Sequence, residues 1–427
     1  MSDKFFPLNT ATACKLKWAW STIVLRTGTT KSCHRVEGDK IDLADFDNFH
    51  NTERKVQHRE LMLQGKWPEG NCSYCKIIED AGGQSDRITH NNIPGCVPEE
   101  LRNDLSATVV VPKILEIYFD NICNMGCIYC NKGFSSVLEH EYNKFGEYSV
   151  NANESTKLIA KSSEPDSLDT INLRKEKLFQ WLDKNHNSLE RLHFLGGEPF
   201  FQPEFERMFD FFEKNPCPGL EYNIVTNLKI SHKKLQQYVE KLHTLVECGH
   251  LKRVDITCSI DCFGYEQEYV RYGLDIDQWK QNFLYLVDQS WIYLSINQTL
   301  NSLTIKTIPE LIKFINNHKT PEREINHFFG LVVGGDDKHV ECQHPKYFGP
   351  GYFNNDFDNI LQCMNEDTWQ EQQAKNYMLG IKKGLQHSTR DDQQISRLID
   401  FLDEIDSRRN LNWRSVFPWL TKELDSV

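Results

Sequence analysis

The sequence predicts an α/β fold built on a partial (β/α)6, TIM-like barrel, with a small Cys-rich module before it and a helical extension after it. Three observations lead there. From about residue 112 to 335, short β-rich runs ending in polar or Gly residues alternate with stretches of helical periodicity. At least two of those strands carry polar side chains along one whole face. The 14 cysteines fall into spaced groups, one before the first of these strands and one just after it. The chain has 427 residues, 39% hydrophobic and 11% aromatic, enough for two or three domains with a sizeable core. The pattern divides it at 1–105, 106–340 and 341–427.

The expected strands are 114–121, 189–196, 220–227, 252–261, 292–301 and 327–333. Segments 174–184, 204–214, 233–247, 277–289 and 309–317 carry apolar residues at helical spacing and serve as crossover helices. The stretch 149–169 is polar and poor in aromatics and reads as an inserted loop. Segment 340–355 has no clear periodicity. Beyond it, Ile395, Leu398, Ile399, Leu402 and Ile405 form one stripe of a packing helix over 391–406. There is no internal repeat.

Alternation within two strands is informative. Asp255, Thr257, Ser259 and Asp261 face away from Val254, Ile256, Cys258 and Ile260, and Tyr293, Ser295, Asn297 and Thr299 form a similar polar face. A strand covered by helices hides apolar residues on both faces, so a polar inner face predicts a lumen holding a polar ligand. A pair of exposed antiparallel strands is the other reading.

The net charge of −12 argues against non-specific capture of a nucleic-acid backbone. The start Met-Ser-Asp-Lys leads into no apolar signal segment, and no run of eighteen apolar residues follows. Abundant Cys in such a chain fits a reducing cytoplasm with thiols as metal ligands; disulfide scaffolds are short and secreted.

Cys123, Cys127 and Cys130, spaced Cys-x3-Cys-x2-Cys just after the first expected strand, supply three thiolates to a four-iron cluster and leave one iron open. Electron-transfer clusters and structural zinc take four ligands, although three close cysteines also suit a zinc knuckle. Leu195-Gly196-Gly197-Glu198-Pro199 closes the second strand, Thr226-Asn227 the third and Ser259-Ile260-Asp261 the fourth, while Asn297 lies in the fifth. Arg271, in Glu268-Tyr269-Val270-Arg271-Tyr272-Gly273, either pairs with a carboxylate or lies on the surface. A second set of Cys14, Cys33, Cys72 and Cys75, with Cys96 farther on, precedes the barrel. Four cysteines at these spacings suit zinc or an iron–sulfur centre. Cys217, Cys248, Cys258, Cys262, Cys342 and Cys363 read as buried small hydrophobes.

Together the segments across about 10–335 resemble the radical SAM superfamily, with Tyr129 as the aromatic residue before the third Cys. The resemblance implies a [4Fe–4S] cluster on Cys123, Cys127 and Cys130, whose open iron is chelated by S-adenosylmethionine (SAM). It implies contacts to SAM from Tyr129, Gly196, Gly197, Glu198, Pro199, Thr226, Asn227, Ser259, Asp261 and Asn297. Tyr129 is expected at the adenine, and the glycines and Glu198 at the methionyl ammonium. Cys14, Cys33, Cys72 and Cys75, with Trp18, Gly28, Glu79, Gly83 and Arg87, resemble a twitch module, the shortened relative of SPASM. That resemblance implies an auxiliary [4Fe–4S] cluster, with a β-hairpin over 21–36 bringing Cys14 and Cys33 together; zinc is the alternative metal. The module usually follows the barrel, and here it precedes it.

The implied activity is reductive cleavage of SAM to a 5′-deoxyadenosyl radical that abstracts hydrogen, with an external one-electron reductant such as flavodoxin or ferredoxin and a peptide or protein as substrate. A small-molecule or nucleotide substrate, or a non-catalytic iron–sulfur or zinc protein, are the other readings. No membrane partner is expected, and a nucleic-acid partner is disfavoured by the charge.

Overall fold

The computed structural model describes residues 5–70, 72–151, 164–320, 322–334 and 337–423. Its strands are β1 (Trp20–Val24), β2 (Thr29–Lys31), β3 (Asp39–Lys40), β4 (Ile114–Tyr118), β5 (Gly126–Cys127), β6 (Arg191–Leu195), β7 (Cys217–Thr226), β8 (Leu251–Ser259), β9 (Arg271–Tyr272), β10 (Tyr293–Leu300) and β11 (Ile325–Leu331). Nine form one sheet in the order β11-β10-β8-β7-β6-β4-β1-β2-β3, and β5 pairs with β9. The six expected strands are all present, parallel and in chain order. This is an α/β fold with a large, mostly parallel sheet.

The crossover helices form where their caps and stripes dictate. Ser231 accepts from Lys234 N to start His232–Glu247, and Asp275 accepts from Asp277 N and Gln278 N to start Ile276–Val287. Leu235, Val239, Leu242 and Leu245 are buried in the core that also holds Val254 and Ile256 of β8. That core covers one face of the sheet.

Three expectations need correction. The sixth strand starts at Ile325, because Ile325 is buried and pairs with Leu294. Segment 340–355 is more regular than its composition implies, with a short helix Lys338–Glu341 leading into it, a turn Pro345–Phe348 and a helix Asn354–Cys363 starting at its end. Cys217, Cys258, Cys262 and Cys342 are buried, but Cys248 is exposed and Cys363 half-buried, since both lie at helix C-termini that face solvent. In the polar stretch 149–169, a turn Ser149–Asn151 and the start of the helix Leu168–Asn185 are described; 152–163 lies outside the described residues. Among the described residues no helix is long and apolar enough to cross a membrane.

The hairpin expected over 21–36 is formed by β1 and β2, but β1 also lies parallel to β4, from Trp20 opposite Ile114 to Val24 opposite Tyr118. The N-terminal segment therefore extends the same sheet. Its anchor is Arg59, fully buried on the helix Glu53–Leu63. Arg59 donates Nε to Lys17 O (2.8 Å), Nη1 to Thr108 O (2.6 Å) and Nη2 to His50 O (2.9 Å). These bonds join the approach to β1 and the approach to β4. After the sixth strand, Ile395, Leu398, Leu402 and Ile405 pack with Trp413 and Phe417 in a second core that includes Ile128 and Val270. The C-terminal helices thus sit against the loop that carries Cys127 and Cys130.

Replacing Arg59 by Met strands the carbonyls of Lys17, His50 and Thr108 and is expected to lower the unfolding free energy by about 3 kcal/mol. Urea denaturation measures it. An unchanged midpoint would remove Arg59 as the anchor.

Candidate functional site

The loop after β4 holds its three cysteines by turning its carbonyls outward. Asn121 O accepts from Ser136 N (2.8 Å), Ile122 O from Glu198 N (2.7 Å), Cys123 O from Ser136 Oγ (3.1 Å), Asn124 O from Lys229 Nζ (2.9 Å) and Met125 O from Ser135 Oγ (2.8 Å). The N–H groups of Asn124 and Met125 then face the Cys123 thiol, a nest suited to negative charge. Cys127 is held by the ladder of β5 with β9, and Ile128 N donates to Val270 O (2.9 Å). Burial pushes the Cys123 thiol up to about 12 and raises Cys127 and Cys130 as well; Cys127 and Cys123 each add to the rise at Cys130, so the three thiols are electrostatic neighbours. Thiols so desolvated stay protonated until a cation replaces the proton.

The Gly-Gly-Glu-Pro turn presses against that loop. Gly196 and Gly197 have φ of +88° and +50°, and a Cβ at Gly197 would lie 2.0 Å from Ile122 O. In this structure the close approach made possible by glycine is to the chain's own cysteine loop. Glu198 is buried, and its carboxylate accepts from Thr226 Oγ1 (2.7 Å), Asn227 N (2.7 Å) and Phe200 N (3.2 Å), while Pro199 opens the turn Pro199–Phe201. Asn227 Nδ2 reaches Asn124 Oδ1 (3.0 Å). Burial outweighs the three donors and lifts the Glu198 carboxyl to about 7.

Asp261 organises the other side. It is fully buried and accepts from Tyr129 Oη (2.5 Å), Arg271 Nε (2.8 Å), Arg271 Nη2 (2.9 Å) and Thr299 N (2.8 Å). Arg271 is therefore the carboxylate partner, and its guanidinium lies 5.6 Å from the Tyr129 ring centre. Burial pushes the Tyr129 phenol well up, which keeps it a donor. Ser259 and Asn297 stand side by side on β8 and β10. The expected residues thus gather at the carboxyl ends of consecutive parallel strands.

The polar inner face runs farther than the sequence reading placed it. Thr22, Glu116, His193, Asn223, Asp255 and Tyr293 share one row across six strands. A cavity of about 330 Å3 is lined by His193, Asn223, Asp255, Thr257, Tyr293 and Ser295 among others. Glu116 is buried and accepts from Thr22 Oγ1 (2.5 Å) and Trp20 Nε1 (3.4 Å); His193 stacks on Trp20 with ring centres 5.4 Å apart. His193 Nε2 is buried and has no hydrogen-bond partner among the described residues. Alternation with Leu115 and Ile117 in β4, and with Leu192 and Phe194 in β6, was the signal that marks Glu116 and His193 as inward-facing.

Cys14, Cys33, Cys72 and Cys75 line one pocket. Arg87 draws its walls together, donating to both Glu79 oxygens (2.8 and 2.5 Å) and to Ala13 O (2.9 Å), so the helix Ser73–Asp80 is tied to the residue before Cys14. Burial is the main cause that pushes Cys14 up to about 12 and raises Cys33 and Cys72, and Lys17 lowers all three. Among the described residues no group of three or more His, Cys, Asp and Glu side chains is arranged to hold a single metal ion. A four-iron cluster places each thiolate on a different iron, so convergence on one pocket rather than on one point is what it asks of its ligands.

No family model matches the chain. Over 214 residues it is 23% identical to the radical SAM cyclopropyl synthase TigE of Paramaledivibacter caminithermalis, a stretch covering 49% of this chain and 40% of that enzyme. The likeness supports the radical SAM superfamily. The chain therefore spans less than half the length of that curated relative. Radical SAM chemistry implies a [4Fe–4S] cluster with SAM, and the residues present fit: three neighbouring thiols, amide N–H groups aimed at sulfur, and a buried carboxyl at the adjoining turn.

The Glu198 shift has a defined sign. Because the folded chain holds this proton more tightly than an ordinary carboxyl near 4.5, its stabilising contribution is full below about pH 4.5 and is lost as the pH rises through about 7. In the metal-free protein, the stability of wild type relative to Glu198→Gln is expected to fall by roughly 3 kcal/mol across that window. Urea midpoints of both proteins at several pH values measure it; a flat difference refutes the assignment.

Proposed function

We propose that the protein is a radical SAM enzyme that modifies a peptide or protein. The observation that carries the reading is the meeting of Cys123, Cys127 and Cys130 with Glu198, Thr226, Asn227, Asp261 and Tyr129 at one end of a parallel sheet wound in chain order. That winding also favours the partial barrel over a flat sheet. When bound, the [4Fe–4S] cluster and SAM supply a 5′-deoxyadenosyl radical for hydrogen abstraction, with the electron drawn from an external reductant such as flavodoxin or ferredoxin. The chain's own residues bind and enclose. Cys123, Cys127 and Cys130 hold the cluster, and Glu198 is the buried acceptor for the methionyl ammonium, which would draw the carboxyl into its ionised form. Asp261 and Arg271 fix Tyr129 beside the adenine, and Gly197 lets two loops close without a gap through which water would enter. The inner row from Thr22 to Tyr293 is then the surface that meets substrate.

The peptide reading rests on the likeness of Cys14, Cys33, Cys72 and Cys75 to a twitch module, and an auxiliary [4Fe–4S] cluster there suits the cationic neighbours Lys17, Arg35 and Arg87. Zinc in that pocket is the rival. A cytoplasmic location fits the thiol content.

Cys127→Ala is expected to abolish formation of 5′-deoxyadenosine while iron at the N-terminal set remains, and unchanged SAM cleavage would refute the reading. In a separate measurement, Cys72→Ala with Cys75→Ala should lower iron towards about four per chain, by the stoichiometry of one remaining cluster, with SAM cleavage preserved. Loss of zinc instead would make that module structural.

A further inference from the structure

Gly126, Ile128 and Cys130 present three further carbonyls of the cysteine loop. All three are met by side chains from beyond the sixth strand. Arg409 Nη1 donates to Gly126 O (2.8 Å), Gln343 Nε2 to Ile128 O (3.0 Å) and His339 Nε2 to Cys130 O (3.2 Å), which fixes the His339 tautomer with its proton on Nε2. All three side chains are buried.

Each peptide plane has two ends, so holding the carbonyl aims the following N–H the opposite way. The Cys127 N–H, in the plane whose carbonyl Arg409 holds, faces the Cys127 thiol. The Asn131 N–H, in the plane whose carbonyl His339 holds, faces the Cys130 thiol. Arg409 is itself locked: Nε pairs with buried Glu141 (2.9 Å), Nη2 reaches Tyr148 Oη (3.3 Å), Tyr148 donates to Glu141 (2.7 Å), and the guanidinium lies 4.8 Å from the Tyr272 ring centre. The helix Asp392–Arg409 ends at this residue, with Asn410 in the left-handed conformation stopping it. His339 is fixed by the rings of Tyr148 (5.1 Å) and Phe401 (5.4 Å).

We propose that the C-terminal extension is a clamp on the cluster loop, with Arg409 and His339 as positioning residues that turn backbone N–H groups onto the Cys127 and Cys130 sulfurs and Gln343 holding the peptide between them. The proposal rests on the radical SAM reading of that loop. Hydrogen bonds to cluster sulfur and a nearby buried cation favour the reduced, more negative state, so the clamp sets the potential at which the cluster accepts its electron as well as the ease of its assembly.

The test uses the full chain, reconstituted anaerobically with iron and sulfide. Arg409→Met combined with Glu141→Leu removes both members of the buried pair, so neither charge is left uncompensated. Gln343→Met is a neutral second variant that removes one donor and keeps the Arg409–Glu141 pair. Circular dichroism reports folding, iron analysis reports assembly, and electron paramagnetic resonance of the reduced protein with and without SAM reports the cluster with the open iron. The double variant is expected to lose more than half of the iron at that cluster and to show a lower midpoint potential and altered g values in what assembles, and Gln343→Met to lose a smaller share of that iron. Arg409→Lys, which keeps a charge and a donor, is expected to retain most of the iron. If the variants fold, bind the wild-type amount of iron, and keep its potential and its SAM-induced spectral change, the clamp is refuted and the radical SAM reading stands. If wild type itself shows no cluster that responds to SAM, that reading fails and the clamp fails with it.

Discussion

Asp261 has no exposed surface, yet its carboxylate takes two hydrogen bonds from Arg271, one from Tyr129 and one from the backbone of Thr299. A buried charge in this position is tolerable only because it is paired and its lone pairs are satisfied, and removal of one partner typically costs about 3–5 kcal/mol. The geometry of the whole site follows from that requirement. Arg271 reaches Asp261 from β9, whose ladder with β5 fixes Cys127. Tyr129 reaches it from between Cys127 and Cys130. Thr299 brings β10 to the same point. The end of the fourth core strand, the cysteine loop and the fifth core strand are therefore one unit held by one carboxylate.

Glu198 performs the matching task on the other side of the loop. It ties the turn after β6 to the end of β7 through Thr226 and Asn227, and Asn227 passes the link to Asn124. The two carboxylates differ in what they keep. Asp261 is matched by a full positive charge, whereas Glu198 has only neutral donors and is lifted to about 7 by burial. A buried carboxyl short of a cation is the natural place for an ammonium ligand, since the ligand would supply the charge that the protein does not.

Between these two anchors and the N-terminal cysteine pocket runs the polar inner face. Trp20 stands at the junction: its indole stacks on His193, packs against His34 at 5.5 Å and donates to Glu116. His34 follows Cys33 directly. The cysteine pocket is thus one residue removed from the row that includes Glu116 and His193, and it owes its place to β1 having joined the sheet beside β4. A segment that in sequence precedes the six parallel strands is in space beside the polar row that crosses them.

Periodicity and spacing made much of this legible. The six core strands and their crossover helices follow from alternation and caps, because those are local consequences of which faces are buried. The cysteine triplet and the Gly-Gly-Glu-Pro turn stood out, because ligand-like thiol spacing and close backbone approach restrict residue type. The pairing of β1 with β4 was not legible: five residues form a strand in either setting, and the partner of Thr22 lies 94 residues on. Nor were the roles of Arg409, Gln343 and His339, and Arg271 stood open between a carboxylate partner and the surface. Arginine, glutamine and histidine occur on any polar surface, and only burial among unpaired carbonyls and a carboxylate gives them a task. The sequence by itself determined which thiols are spaced as cluster ligands are and where the strands run, since both are set by near neighbours along the chain. The tertiary structure alone decided how the loop is turned towards its thiols, since the peptides of Gly126, Ile128 and Cys130 are held by donors that arrive from more than 200 residues away.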